Sequence, residues 1–298
     1  MIRLSVQLQA LVNLMREHQL QYDYIHLDET RIQVLKEPDK SAISDKWMWV
    51  SRRGPPDKPS IIFEYDPSRS KAVPLRLYDG FKGYCQVDGY AGYNALCKPN
   101  EVTQVGSWDH ARRKFADAKK AASPKKGKEN RQVAKYDVAL AKIGKLYTNE
   151  RDIKLLPPDE KYQQRQIRSL PVLQDIKVWL ENKLDKIDQT SKTGVAMKYA
   201  LNQWSTRTTY CHDGRLNISN IDLERSTRPF AQGRRAWLFA DTPKGAKASA
   251  VLYSMIESAK ANDLEPYTYL LAVLKQLPYA ETVEQVEKLL PWNIEWGK

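Results

Sequence analysis

The chain has 298 residues, 42% apolar and 28% charged, the balance of a soluble folded protein with material for one large domain or two ordinary ones. Lys and Arg number 48 against 36 acids, a net charge of +12, which points to a polyanionic partner, nucleic acid first, or to a generally basic soluble protein. The three cysteines, Cys85, Cys97 and Cys211, lie far apart and form no CxxC pair, so neither a zinc finger nor a disulfide framework is supported and a reducing cytoplasm fits best. No apolar run approaches the ~20 residues needed to span a bilayer, and Met1-Ile2-Arg3 opens no signal peptide, so no membrane partner is expected.

Residues 1–20 predict a leading helix, with Leu4, Leu8, Leu11, Val12 and Met15 at helical spacing and a solvated His18 near its end. Tyr22–Thr30 is an apolar strand that closes on Asp28-Glu29-Thr30. Strands are predicted over 46–53, broken by Gly54-Pro55-Pro56, and over 60–66. Hairpin-like connections make these three strands antiparallel. Ser68–Tyr78 is a short helix or loop that Pro74 limits. A short strand, Tyr84–Val87, delivers Asp88 ahead of Gly89, and Val102–Val105 is a fifth. Ser107 is placed to cap a helix through His110 and Phe115. Three antiparallel strands followed by alternating helices and strands argue for an α/β fold with a mixed sheet.

From 110 to 135 the chain carries ten Lys/Arg against two acids, and Ser123–Lys128 has the composition of a solvated hinge. Beyond it, Val138, Ile143 and Leu146 line one helix face, and Val172, Leu173, Ile176, Trp179, Leu180 and Leu184 form an amphipathic stripe after Pro157-Pro158. The last third is mainly helical: one helix after Ile218, others over Ala246–Ala261, Tyr267–Leu277 and Thr282–Leu290. The resulting division is a leading helix (1–20), a first part of a sheet-bearing core (21–117), a helical insertion (118–200), the rest of that core with Glu224 (201–261) and a C-terminal helical segment (262–298).

Three acids stand where chemistry can use them. Asp28 and Asp88 each end a strand, and Glu224 lies near the start of a helix. Carboxylates on two strands and a helix can hold a pair of Mg²⁺ or Mn²⁺ ions about 3.5–4 Å apart. Each acid also has an ordinary reading: Asp28 as a turn residue, Asp88-Gly89 as a turn pair, and Glu224 as an i,i+4 partner of Arg228. Two basic clusters accompany them. His110, Arg112, Arg113 and Lys114 are either a phosphate-contacting helix face or a solvated one. Arg225, Arg228, Arg234 and Arg235 with Trp237 and Phe239 suit backbone contact and base stacking, whereas Leu238 is assigned to the core. No GxxxxGK[ST] loop is present and no Ser-His-Asp set stands out; His26 and His212 are read as structural.

The segments HLDET (26–30), VDGYAGYN (87–94), WDHARRKF (108–115), LERSTRPFAQGRRAWLF (223–239) and YSMIESAKANDLEPYTYLLAVL (253–274) resemble the insertion sequence 66 family of DDE transposases, and LPYAETVEQVEKLLPWN (277–293) resembles that family's C-terminal segment. The resemblance implies an RNase H-like core of five strands, with Asp28, Asp88 and Glu224 as catalytic acids and ligands of two Mg²⁺ or Mn²⁺ ions. It implies strand cleavage that frees a 3′-OH, followed by strand transfer. The implied partners are DNA (transposon ends and target), further copies of the chain on that DNA, and helper proteins of the same element, in the cytoplasm at the bacterial nucleoid. Three features depart from the family pattern. Ser219-Asn220-Ile221 replaces an Asp-Asn-Asn run, Ala236 replaces an Asn, and the cysteine-paired, zinc-binding N-terminal region of complete members does not precede the first catalytic strand. Those departures leave two other functions open: a DNA-binding remnant without catalysis, or an RNase H-like nuclease without strand transfer.

Overall fold

The computed structural model describes residues 1–53, 58–97, 101–122 and 133–295. The Gly54-Pro55-Pro56 break and the Ser123–Lys128 hinge lie outside the described residues. In chain order the first elements are α1 (Ile2–Leu20), β1 (Tyr24–Ile32), β2 (Lys46–Arg53), β3 (Ile61–Asp66), α2 (Ala72–Leu77), β4 (Gly83–Val87) and β5 (Val102–Gly106). A helical run follows: α3 (Trp108–Ala121), α4 (Lys135–Asp152), α5 (Pro158–Gln164), α6 (Leu170–Leu184), α7 (Lys192–Asn202) and α8 (Trp204–Thr208). The chain closes with α9 (Ile221–Trp237), α10 (Pro243–Ala261), α11 (Pro266–Gln276) and α12 (Val283–Glu287). It divides into two compact units, Met1–Thr103 with Ile221–Lys298, and Gln104–Asn220. No helix among the described residues is long and apolar enough to cross a membrane.

The first unit is organised by β1. Its sheet runs in the order β3-β2-β1-β4-β5, with β1 antiparallel to β2, β2 antiparallel to β3, and β1 parallel to β4. This is the expected mixed five-stranded sheet of RNase H-like type. Side chains on both faces of β1 are buried, as a central strand requires when both sheet faces are covered. On one face Ile25, Leu27 and Trp49 pack with Val73, Leu77, Phe81, Cys85, Val87 and Tyr93. On the other, Ile32, Met48, Val50, Phe63 and Tyr65 pack with Leu223 and Phe230 of α9 and Ala246 and Ala250 of α10. Where β4 begins, Gly83 has φ +122° and a Cβ would collide with the Asp23 backbone, so only glycine lets the two strands start side by side.

Strand β3 is a sheet edge, and α10 closes it. Ser258 Oγ accepts from Ile61 N and Ser254 Oγ accepts from Phe63 N, each at 2.8 Å, so the backbone donors that would invite a foreign strand are occupied. Leu8, Leu11, Val12 and Met15 of α1 bury against Val251 and Met255 of α10, Tyr269 and Val273 of α11, and Leu289 and Leu290. His18, expected in solvent, instead sets its ring edge-on to Trp292 at 5.5 Å and lies 3.4 Å from the Glu287 carboxylate. Helix packing that gathers the C-terminal segment around α1 makes that contact, and no local spacing announces it.

The second unit is helical apart from the end of β5. Ser107 caps α3 as its sequence position predicts, its hydroxyl accepting from Asp109 N at 3.2 Å and from Asn220 N at 3.4 Å. The α6 stripe is inward: Leu173, Ile176 and Leu180 are buried, as are Ile143 and Leu146 of α4. Two arginines organise the interior. Arg165, only 2% exposed, pairs with Glu150 through Nε (2.9 Å) and Nη2 (2.6 Å) and donates to the carbonyls of Tyr210, Asp213 and Leu216. It sits in a π-helical turn, Arg165–Ser169, just before Pro171 interrupts the donor ladder. Arg207 donates to the carbonyls of Tyr199 and Ala200 and stacks 4.5 Å over the Tyr199 ring.

Candidate active site

The site is built on strand register. Tyr24, Ile25 and His26 pair with Tyr84, Cys85 and Gln86 in the parallel β1–β4 ladder. Continued two residues past its last pair, this register brings Asp28 level with Asp88, whose charge acts on it; Asp88 lies one residue beyond the end of β4, but Asp28, expected at a strand end, lies mid-strand because β1 stays paired with β2 through Ile32. His26 and Gln86 occupy the face of Asp28. His26 is buried beside Tyr24, at 4.7 Å between rings, and the Tyr24 hydroxyl donates to Gln86 Oε1. His26 is therefore part of the packed base of the site, while His212 is exposed on the other unit.

Asp88 makes the turn that its sequence neighbour predicts and also faces the first acid. Its Oδ1 accepts from Tyr90 N at 2.8 Å, an Asx turn that orients the carboxylate at the strand end. Glu224 enters from α9. That helix buries Leu223, Thr227 and Phe230 against the sheet, at i, i+4 and i+7, which leaves Glu224 at the margin of the buried face. Phe230 anchors the helix among Phe63 (5.8 Å), Tyr253 (5.1 Å) and Trp237 (5.5 Å). Pro229 removes one ladder donor, and Thr227 Oγ1 and Ser226 Oγ bond back to the carbonyls of Leu223 and Asp222, each at 2.9 Å.

The electrostatics of Asp28 report the convergence of these acids. Its carboxyl is pushed well above the usual carboxylate range, first by loss of hydration and then by the negative fields of Glu29, Asp88 and Glu224; the Glu29 N–H, 2.9 Å from Oδ1, works the other way. Glu29 is also raised, chiefly by burial, against the opposing bonds from Tyr93 and Arg69. An oxygen-only donor set of this kind suits Mg²⁺ or Mn²⁺. Among the described residues, however, no three His, Cys, Asp or Glu side chains are grouped to hold one ion.

The basic clusters divide between the two units. Arg225, Arg228 and Arg235 are exposed on α9. Arg234 is turned inward, its Nη1 donating to Thr30 Oγ1 at 3.3 Å and to the Arg31 carbonyl. Trp237 packs against the Phe230 cluster, so its ring is partly withdrawn from a stacking role. Leu238, assigned to the core from sequence, is 61% exposed at φ +62°, and its N–H returns to the Arg234 carbonyl. The helix ends there in a left-handed turn, which swings the side chain off the apolar face. His110, Arg112, Arg113 and Lys114 lie on α3 of the second unit; Arg112 and Arg113 are exposed, and the Lys114 ammonium sits 4.6 Å over the Tyr199 ring. In the same unit, the hydroxyl of Ser219 donates to Asp109 Oδ2, so this departure from the family pattern is a bonded residue of the helix-capping region.

Sequence reading missed the Glu29 contacts. Arg69 reaches Glu29 Oε1 through Nε at 2.9 Å, and Tyr93 donates to Oε2 at 2.6 Å. The available signal was the two-residue strand period, which sends Glu29 to the face opposite Asp28 and demands a partner for a buried acid there. Nothing local identifies Arg69 as that partner.

The model of the family described as Transposase IS66 family matches residues 1–248, and the model described as IS66 C-terminal element matches residues 254–292. Three curated relatives are similar, each described as an uncharacterized protein of Sinorhizobium fredii (strain NBRC 101917 / NGR234). The y4hP protein is 30% identical over 98% of this chain and 54% of its own length, y4jD 29% over 89% and 52%, and y4qI 27% over 98% and 54%. The chain thus spans about half the length of the curated relatives it matches. No solved structure matches it significantly. Match to both family models across nearly the whole chain makes this chain a member of the IS66 transposase family.

Proposed function

We propose that this chain is the catalytic part of a transposase that cleaves DNA at the ends of an insertion sequence and joins the freed 3′-OH to target DNA. The observation that carries the reading is placement: half-buried Asp28 in β1 lies near Asp88 just past β4 and near Glu224 on α9, and both charges act on its carboxyl. Such a cluster is held together at cost unless a cation offsets the repulsion. Asp28 and Asp88 would hold one divalent ion, and Asp28 with Glu224 a second. When bound, Mg²⁺ or Mn²⁺ supplies a Lewis acid for phosphodiester oxygens. The chain's own residues supply the frame: β1 and β4 fix the spacing of the aspartates, and α9, anchored by Phe230, brings up Glu224.

DNA is the substrate in this reading, and the net charge of +12 draws it in. Exposed Arg112, Arg113, Arg225, Arg228 and Arg235 contact phosphates; Arg234 braces the end of β1. Joining two ends to a target needs at least two active sites, hence further copies of the chain on the DNA, with helper proteins of the element as additional partners and the bacterial nucleoid as the place of action. With Mg²⁺ and end-containing duplexes, the parent nicks and joins, and Asp28→Ala abolishes both. Equal activity of parent and variant removes the assignment. Cut ends without joined product would make it a nuclease. A second reading, DNA binding without chemistry, is motivated by Ser219, Ile221 and Ala236, which depart from the family pattern around Glu224. Calorimetric Mn²⁺ titration separates them: a catalytic site binds Mn²⁺, and a remnant binds DNA alone.

A further inference from the structure

Glu29 lies on the sheet face opposite Asp28, and the proposed chemistry does not use it. Its side chain is 1% exposed. It accepts from Tyr93 and from two nitrogens of Arg69. The Arg69 guanidinium lies between two rings, 4.0 Å from the centre of Tyr90 and 4.5 Å from that of Trp47. Tyr90 turns its hydroxyl onto the Arg69 carbonyl and meets Tyr93 edge-on at 5.7 Å. Gly92, between the two tyrosines, makes room for this: a Cβ there would lie 2.2 Å from Tyr90 Cε1 and force the ring aside. Tyr90 N is also the donor to Asp88 Oδ1. One chain of contacts therefore runs from the neighbour of Asp28 to the residue that orients Asp88.

A buried acid needs partners, and that need alone explains one arginine. It does not explain why both tyrosines come from the turn that carries Asp88, or why a glycine is placed to let one fold back. A planar fork bonded to a carboxylate and stacked between rings has far less freedom than an apolar contact. We propose that Glu29, Arg69, Tyr90 and Tyr93 form a positioning clamp that holds the Asp88 turn at a fixed place relative to Asp28. The clamp rests on the acid-pair reading of the site. Its members are positioning residues, because they act through the backbone of β1 and of the turn.

Hydrogen exchange of residues 88–97 and Mn²⁺ binding by electron paramagnetic resonance, both on the full chain, test it. Tyr93→Phe keeps the ring and removes one bond to Glu29; Gly92→Ala displaces the Tyr90 ring; Tyr90→Phe is the mildest change and guards against loss of the fold in the others. The clamp predicts faster exchange of the Tyr90 amide and Mn²⁺ affinity lower by about 10-fold, the lower end of what losing an outer partner of a metal ligand does. Unchanged exchange over 88–97 in Tyr93→Phe and Gly92→Ala overturns it. So does a lowered unfolding midpoint with unchanged Mn²⁺ affinity, the signature of a merely structural network. If the parent binds no Mn²⁺ while the variants still loosen the turn, the clamp stands and the metal reading falls.

Discussion

Each unit buries charge, and each treats it differently. In the helical unit Arg165 has a carboxylate and three backbone carbonyls within 3 Å, and Arg207 has carbonyls and a ring. Arg165 is bonded at all three guanidinium nitrogens and Arg207 at two, and they tie segments that have no sheet to order them. In the sheet unit Asp28 is half-buried with acids around it, and these and the loss of hydration hold its carboxyl above the usual range. Polar burial that is completed stabilises a fold, whereas polar burial left open is retained where chemistry needs it. Glu29, one peptide bond from Asp28, lies between the two patterns: Arg69 and Tyr93 bond to it, yet burial still holds its carboxyl above the usual range.

The largest expected effect would break the helical half of that contrast. Arg165→Met leaves Glu150 and three carbonyls without their donor and is expected to destabilise the chain by about 3–5 kcal/mol in urea unfolding followed by circular dichroism. A near-neutral result would mean that the arginine is replaceable by apolar packing. Asp28→Asn is expected to act in the opposite direction, raising stability while removing metal-dependent cleavage. The sign follows from proton binding. The unfolded carboxyl ionises near 3.8, but the folded one holds its proton to higher pH. The parent therefore loses stability as pH rises from about that value through the raised folded value, and the amide variant does not. Urea midpoints compared across that window check it; parallel pH profiles would show that Asp28 carries no such strain.

A smaller effect concerns the exposed charges. Arg112→Ala with Arg113→Ala is expected to leave the unfolding midpoint in place and to reduce the salt dependence of DNA binding by about one unit of log–log slope for each phosphate that is no longer neutralised. An unchanged slope would make α3 a solvated face. The smallest belongs to Leu238. At φ +62° and largely exposed, its replacement by Gly is expected to raise stability by about 1 kcal/mol or less. A decrease instead would reveal a stabilising role for that side chain.

The local part of the fold was legible in the amino-acid sequence. The boundaries of β2 coincide with the predicted 46–53, and Ser107 caps α3 where a Ser before an apolar-periodic run should. The α1 and α6 stripes face inward because 3.6-residue spacing leaves no other face to bury. Asp88 was legible as an acid just past a strand end, whereas Asp28, expected to end its strand, lies within β1, which runs on to Ile32 and pairs Asp28 with Val50. What the sequence by itself determined is thus what repeats within a few residues: strand and helix periods and caps.

Tertiary structure decided the rest. The parallel register of β1 and β4 made Asp28 and Asp88 neighbours, although 60 positions separate them. Arg69 became the partner of Glu29, and Arg165 that of Glu150 and distant carbonyls, through contacts with no sequence signature. Leu238 left the core because a left-handed helix end redirected it, and His18 gained a ring and a carboxylate beside it because the C-terminal segment folded onto α1. The physical reason is common to all five. Apolar burial is non-directional and shows in composition and period, but a buried charge or a redirected backbone must meet a particular partner, and only the folded chain decides which one arrives.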